Sequence, residues 1–176
     1  MGLRDVVSGK AAGTHVLICG FPRSGTTMLQ SMVEWAWPTA RKYVGEMSGE
    51  RALAKGWSKE EVWGADGMLV TKTPADLLCL HRLEKWHADN GSALRVIAVA
   101  RDPRDVLVSH HKGFEREYYM LPRVWKLYCS RFLFHRDDPE VMVVRYEDLV
   151  SDVPRVQAEV EAFVGRKAER PFEGFY

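Results

Sequence analysis

The chain has 176 residues, of which 46% are hydrophobic, 28% charged and 11% aromatic, a composition that suits one folded domain and excludes wholesale disorder. A net charge of +1 supplies no global field for nucleic acid or a membrane surface, so neither is an expected partner and any anion site must be built locally. Cys19, Cys79 and Cys129 lack C-x-x-C spacing, no apolar run approaches the roughly 20 residues of a membrane span, and the first ten residues lack a signal-peptide centre, so a soluble, cytoplasmic protein without a metal ligand set is expected.

The short, nearly continuous apolar runs at 15–20, 68–71, 94–100 and 141–146 read as strands buried on both faces of a parallel sheet. Between them the spacing predicts helices. Residues 25–36 carry Met28, Leu29, Met32, Val33 and Ala36 on one side, and 75–89 carry Leu77, Leu78, Leu80, Leu83 and Trp86 before closing at Asn90-Gly91. Residues 122–134 and 154–164 complete the set, with Pro154 suited to a first helical turn. The alternation βαβαβαβα implies an α/β fold, a single three-layer domain with helices on both faces of a parallel sheet, its core over about 14–165. Residues 39–67, with five glycines and with Trp57 and Trp63, are read as an irregular insertion holding at most a short helix near Ser58–Val62, the segment suited to an acceptor site.

The first strand ends in Gly20-Phe-Pro-Arg-Ser-Gly25-Thr-Thr. A Walker A loop keeps the same Gly-to-Gly spacing, cradles phosphate with backbone N–H groups and then places a lysine, but here that position is Thr26. Its cation has moved inward to Arg23, while Ser24, Thr26 and Thr27 add hydroxyls at the start of a helix, where the dipole favours an anion. Such a loop suits a less charged ligand end than a triphosphate. An ordinary strand-to-helix turn would use Gly and Ser/Thr as well.

Four motifs follow one another at strand ends: FPRSGTT (21–27), TKTP (71–74), VARDPRDVLVSHH (99–111) and VVRYEDLV (143–150). Together they resemble the sulfotransferases that use 3′-phosphoadenosine 5′-phosphosulfate (PAPS), over roughly residues 15–165. That resemblance implies a P-loop fold related to nucleotide kinases, and transfer of a sulfuryl group from PAPS to a hydroxyl or amine with release of adenosine 3′,5′-bisphosphate (PAP). It further implies that no metal is required and that the acceptor is a small molecule, a carbohydrate or a peptide.

By the same resemblance Arg23 stands beside the bridging oxygen and 5′-phosphate, Ser24, Gly25, Thr26 and Thr27 donate to the phosphosulfate, and Lys72 lies near the transferring group. Arg101 and Ser109, eight apart, match the 3′-phosphate motif, with Asp102 as a helix N-cap and Pro103 as first helical residue. Arg104 and Asp105 are assigned to a surface ion pair and the first helical turn. Tyr146 matches a tyrosine near the adenine, and reads equally as a core aromatic. The cytosolic small-molecule branch has a histidine base where this chain has Pro74, and a tryptophan where it has Met28. Glu46 is therefore the candidate base, by likeness to a Gly-Glu stretch of the protein-tyrosine branch, with Glu50 in reserve; a solvated loop carboxylate is the equal alternative.

His110 and His111 are assigned to the surface, His81 and His87 are spaced wrongly for a metal pair, and His135-Arg-Asp-Asp138 lacks the rest of a kinase catalytic loop. Trp35, Trp57 and Trp63 could line an acceptor pocket, with core packing the default. The family continues past its last helix with a basic stretch, whereas Arg166 and Lys167 here follow the Tyr-Glu-Asp-Leu motif closely, as in a compact or truncated member. Two other readings stay open: a P-loop small-molecule kinase, disfavoured by Thr26, and a catalytically weak nucleotide-binding relative, favoured by Pro74.

Overall fold

A computed structural model describes residues 12–43, 45–54, 62–109 and 120–175. Four strands, β1 (Ala12–Gly20), β2 (Met68–Lys72), β3 (Ser92–Ala100) and β4 (Val141–Arg145), lie side by side in the order β2-β1-β3-β4, every pair parallel. The register sets Leu17 beside Thr71 on one flank and beside Val96 on the other.

Alternate side chains of the central strand enter two separate cores. Val16 and Ile18 join α1 (Thr26–Ala36), the helix at Val153–Val164 and Phe172 on one face, while Leu17 and Cys19 join the helices at Leu80–Asn90 and Pro122–His135 on the other. Leu17 and Ile18 are both completely buried, each contributing about 1.5–3 kcal/mol of apolar burial. This two-faced burial is why the strands are apolar at almost every position.

The remaining helices place the loops. α2 (Gly49–Ala54) falls inside the stretch read as irregular, and the short helix expected near Ser58–Val62 lies mostly outside the described residues, as do Trp57, His110 and His111. The predicted helix 75–89 is divided: a 3₁₀ turn runs over Pro74–Leu78, the chain breaks at Cys79, and α3 occupies Leu80–Asn90, capped by Gly91 at φ 63°. Asp76 causes the break to persist, because its buried carboxylate accepts the Gly49 N–H at 2.8 Å and holds the turn against α2. Then come α4 (Pro103–Leu107), α5 (Pro122–His135), α6 (Tyr146–Ser151) and α7 (Val153–Val164). Asp102 and Asp152 cap α4 and α7 by accepting the N–H of Arg104 and Arg155. The fourth strand stops one residue earlier than predicted, so Tyr146 opens α6 rather than closing β4.

One polar chain crosses the second core. His15 and His87, both buried, meet through ring nitrogens 3.0 Å apart, and the pair is continued by Thr71 Oγ1 at 2.7 Å from His15 and Ser92 Oγ at 2.7 Å from His87. Burial holds His15 well below the ordinary histidine range, the neighbouring His87 adding to the effect, and burial lowers His87 to about 4.

Candidate functional site

All four parallel strands end on the same edge, and the segments that follow them converge there. Pro22, Arg23, Gly25, Thr26, Thr27, Met28, Glu46, Pro74, Arg101 and Tyr146 enclose a cleft of about 360 Å³, a volume within the range of small-molecule sites. A larger hollow of about 580 Å³ lies at the opposite end of the sheet, but it lacks a loop of convergent donors and is not the site defined here.

The loop after β1 is held in an unusual shape. Arg23 takes φ 69°, a left-handed conformation uncommon for a residue with a side chain, and Gly25 follows at φ 94° as the N-cap of α1. A Cβ on Gly25 would come within 2.5 Å of Tyr146 Cδ2, so the tyrosine packs directly on the glycine. Ser24 fixes this turn from beneath. Its hydroxyl reaches the carbonyls of Phe21 (2.6 Å) and Val99 (3.0 Å), and its N–H donates to Phe21 O (3.2 Å). The Ser24 side chain, expected from the sequence to donate to the ligand, is fully buried and outside the cleft lining, with its hydroxyl spent on the turn. Thr26 and Thr27, in the first turn of α1, face the cleft with N–H groups that have no intrahelical partner.

Lys72, the last residue of β2, is 3% exposed. Its ammonium donates to Thr27 Oγ1 at 3.1 Å and to Glu46 Oε1 at 2.8 Å, while the Glu46 side chain is 59% exposed. With Lys72 as donor, the Thr27 hydroxyl keeps its own proton available for another acceptor. Glu46 is brought here by a bridge in which Met47 N–H donates to Lys72 O (3.1 Å) and by the Gly49–Asp76 bond two residues further on.

The β3 end supplies the second cation. Arg101 donates from Nη1 to Arg23 O (3.3 Å) and from Nη2 to Asp105 Oδ2 (3.2 Å), and its guanidinium carbon lies 4.3 Å from the Tyr146 ring centre. Its Nε is buried with no hydrogen-bond partner among the described residues. Arg23 Nε in turn donates to Ser109 Oγ at 2.9 Å. The two residues singled out as a 3′-phosphate pair thus both contact Arg23. As expected, Arg104 makes a surface ion pair, with Asp102 at 2.6 Å, and Asp105 lies in the first helical turn, from which it also reaches Arg101. The Arg104 guanidinium and N–H, by their hydrogen bonds, hold Asp102 down at about 2. Sequence reasoning also missed Glu147, whose Oε1 accepts the Asp102 N–H at 3.0 Å and ties the start of α6 to the end of β3.

Neither described tryptophan suggested for an acceptor pocket lines the cleft. Trp35 lies under Arg170, with its centroid 4.6 Å away, and Trp63 packs against the second core. Glu50 pairs with Arg82 at 3.5 Å, away from the cleft lining.

A parallel sheet whose first loop winds into a helix N-terminus, with two arginines and a lysine gathered at the same edge, is an α/β arrangement with the donors and charge to hold an anion. The sulfotransferase domain model matches residues 13–173, and the chain belongs to that family. Among solved structures it is similar to the sulfotransferase domain from the curacin biosynthetic pathway, at 18% identity over 93% of this chain and 78% of that one with a TM-score of 0.62. The sulfotransferase domain from the Synechococcus PCC 7002 olefin synthase aligns at 20% identity over 96% of this chain and 79% of that one, TM-score 0.66. Mouse sulfotransferase SULT7A1, complexed with PAP, aligns at 15% identity over 95% of this chain and 64% of that one, TM-score 0.61. At these identities the likeness is one of fold. No curated protein matches the sequence.

Proposed function

We propose that this chain moves a sulfuryl group from PAPS to a hydroxyl or amine acceptor by in-line displacement. The observation that carries the reading is the joining of Arg23 and Arg101 in one cleft, through the Arg23 carbonyl, with the N-terminus of α1 beside them. These donors fit a nucleotide bearing a phosphosulfate at one end and a separate phosphate at the other.

The donor nucleotide brings an activated sulfuryl group; the chain provides orientation and charge. Thr26 and Thr27, with the N-terminus of α1, hold the phosphosulfate oxygens, and the Thr27 hydroxyl donates while accepting from Lys72. Arg101 and Ser109 hold the 3′-phosphate, and Tyr146 supports the Arg101 plane. As the acceptor oxygen bonds to sulfur, the bond from sulfur to the bridging oxygen breaks and its electron pair stays on the 5′-phosphate. Arg23 and Lys72 meet that growing charge, Arg23 electrostatically, because a guanidinium does not give up its proton. Glu46, its other oxygen free of Lys72, takes the proton of the acceptor. Ser24 positions the loop and makes no contact with the ligand.

The test is thermal shift with PAP against ATP–Mg²⁺, followed by labelled sulfuryl transfer to phenols, sugars and tyrosine peptides. Stabilisation by PAP alone, with transfer abolished in Arg23→Ala, is expected. Stabilisation by ATP–Mg²⁺ alone would overturn the reading in favour of a kinase, and PAP binding without turnover would leave a binding protein.

A further inference from the structure

At the end of the sheet opposite the cleft, three side chains from separate parts of the chain converge. Glu84 comes from the middle of α3, His135 is the last residue of α5, and Asp138 stands in the turn that leads into β4. One ligand atom from each lies within 4.8 Å of the other two. His135 Nδ1 is 2.7 Å from Asp138 Oδ2 and 3.9 Å from Glu84 Oε1. A carboxylate only accepts, so Nδ1 carries the proton in this arrangement, and a metal ion would take that proton's place.

We propose that Glu84, His135 and Asp138 form a binding site for a divalent transition ion of the zinc class, joining α3 to the turn between α5 and β4. Neighbouring ligand atoms around a tetrahedral ion with bonds of about 2.0–2.1 Å stand about 3.4 Å apart. The two separations at Nδ1, 2.7 and 3.9 Å, fall on either side of that value, so binding needs adjustments of roughly half to three-quarters of an ångström there. The parts suited to move are the carboxylates, with side chains 34% and 44% exposed, while the imidazole, 8% exposed, is fixed by packing. Two negative charges and a neutral ring balance a dication. A nitrogen beside two oxygens favours a borderline first-row ion over Mg²⁺ or Ca²⁺, which take oxygen shells. The 580 Å³ hollow, lined by Glu84 and Asp138, admits water to complete the shell.

The site stands apart from the transfer chemistry, so its test is independent of the proposed activity. The full chain, stripped with a chelator, would be titrated with Zn²⁺, Mg²⁺ and Ca²⁺ while its melting temperature is followed, and with Co²⁺ while its visible spectrum is recorded. One equivalent of Zn²⁺ should bind saturably and raise the melting temperature, with Mg²⁺ and Ca²⁺ inert at the same concentration. Glu84→Gln and Asp138→Asn, which preserve shape at partly exposed positions, should each weaken Zn²⁺ by at least about 10-fold and leave PAP binding unchanged. Absence of saturable binding, an equal response to Mg²⁺, a Co²⁺ spectrum with thiolate charge transfer, or Zn²⁺ affinity unchanged in both variants would each overturn the proposal. In those cases His135 serves only to tie Asp138 to the end of α5.

Discussion

Gly25→Ala separates the geometry of the loop from its chemistry. Gly25 sits at φ 94°, where an alanine is disfavoured by about 1–2 kcal/mol. Its new Cβ would also meet Tyr146 Cδ2 at 2.5 Å, inside any relaxed contact, and the ring must swing away. That movement strips the Tyr146 face from Arg101, 4.3 Å away, a contact worth about 0.5–1 kcal/mol in a partly exposed place. The expected destabilisation is therefore about 2–3 kcal/mol, a fall of roughly 5–10 °C in melting temperature for a chain of this size. Gly91→Ala is the control. Gly91 has φ 63° and open space around its Cα, so the same substitution there carries the backbone penalty without the collision. Calorimetry and PAP titration on both variants should show Gly25→Ala the less stable and at least 10-fold weaker in binding, with Gly91→Ala binding as wild type. If the two variants melt together and bind PAP equally, Tyr146 is not held by the glycine, and its role beside Arg101 is refuted.

Lys72→Met should lower sulfuryl transfer by at least about 100-fold while changing stability by no more than about 1 kcal/mol, because the partner Glu46 is 59% exposed and stays hydrated alone; steady-state rates and melting curves on one preparation check both halves. Acid should act on the buried histidines: His87, held at about 4 against 6.5 unfolded, takes up its proton only in the unfolded chain, so stability falls by roughly 3 kcal/mol as pH drops from about 6.5 to 4, with His15 adding in the same direction. Asp76 opposes this. Burial raises it to about 6 despite the Gly49 N–H, and nearby Glu50 and Glu46 add to the rise, so its protonation favours the fold below 6 and is lost as pH climbs through 6. Asp76→Asn should therefore be more stable than wild type at pH 7.5 and lose most of that advantage by pH 4.5, and melting curves with equal pH slopes for the two proteins would refute it.

The sheet was legible because it is buried on both faces. Each strand is an apolar run with no polar alternation, a pattern that few other structures produce, and the Gly/Ser/Thr loop after the first run marked the ligand edge. The split at Cys79 was not legible, since it depends on Asp76 turning inward to a backbone N–H 27 residues earlier. Nor was the partition of hydroxyls in the loop: Ser24 and Thr27 are equivalent on paper, and only the approach of β3 makes one a buried brace and the other a free donor. The same limit hid the His15–His87 pair, 72 residues apart, and the turn of the Asp105 carboxylate toward Arg101, although the helix start at Pro103 was legible. What short motifs could convey was which residues are needed; which of their atoms face the cleft is decided by contacts between strands.

Ser24 explains how the loop tolerates Arg23 at φ 69°. A left-handed residue outside glycine persists only where its surroundings over-determine it, at an expense of order 1–3 kcal/mol. Here the brace is two-sided. Ser24 locks the loop to its own start through Phe21 and to β3 through Val99, while Arg101 reaches across from β3 and donates to the Arg23 carbonyl. With its backbone gripped from below and beside, Arg23 has its guanidinium aimed along the cleft toward Ser109 before any ligand arrives. Under the proposed transfer this strain would serve as preorganisation: donors held in this way need not be reoriented when negative charge develops, the condition under which such groups accelerate a displacement most. Removing the Ser24 hydroxyl should then harm the reaction without removing any group that touches the ligand, through a loop free to relax toward ordinary φ values.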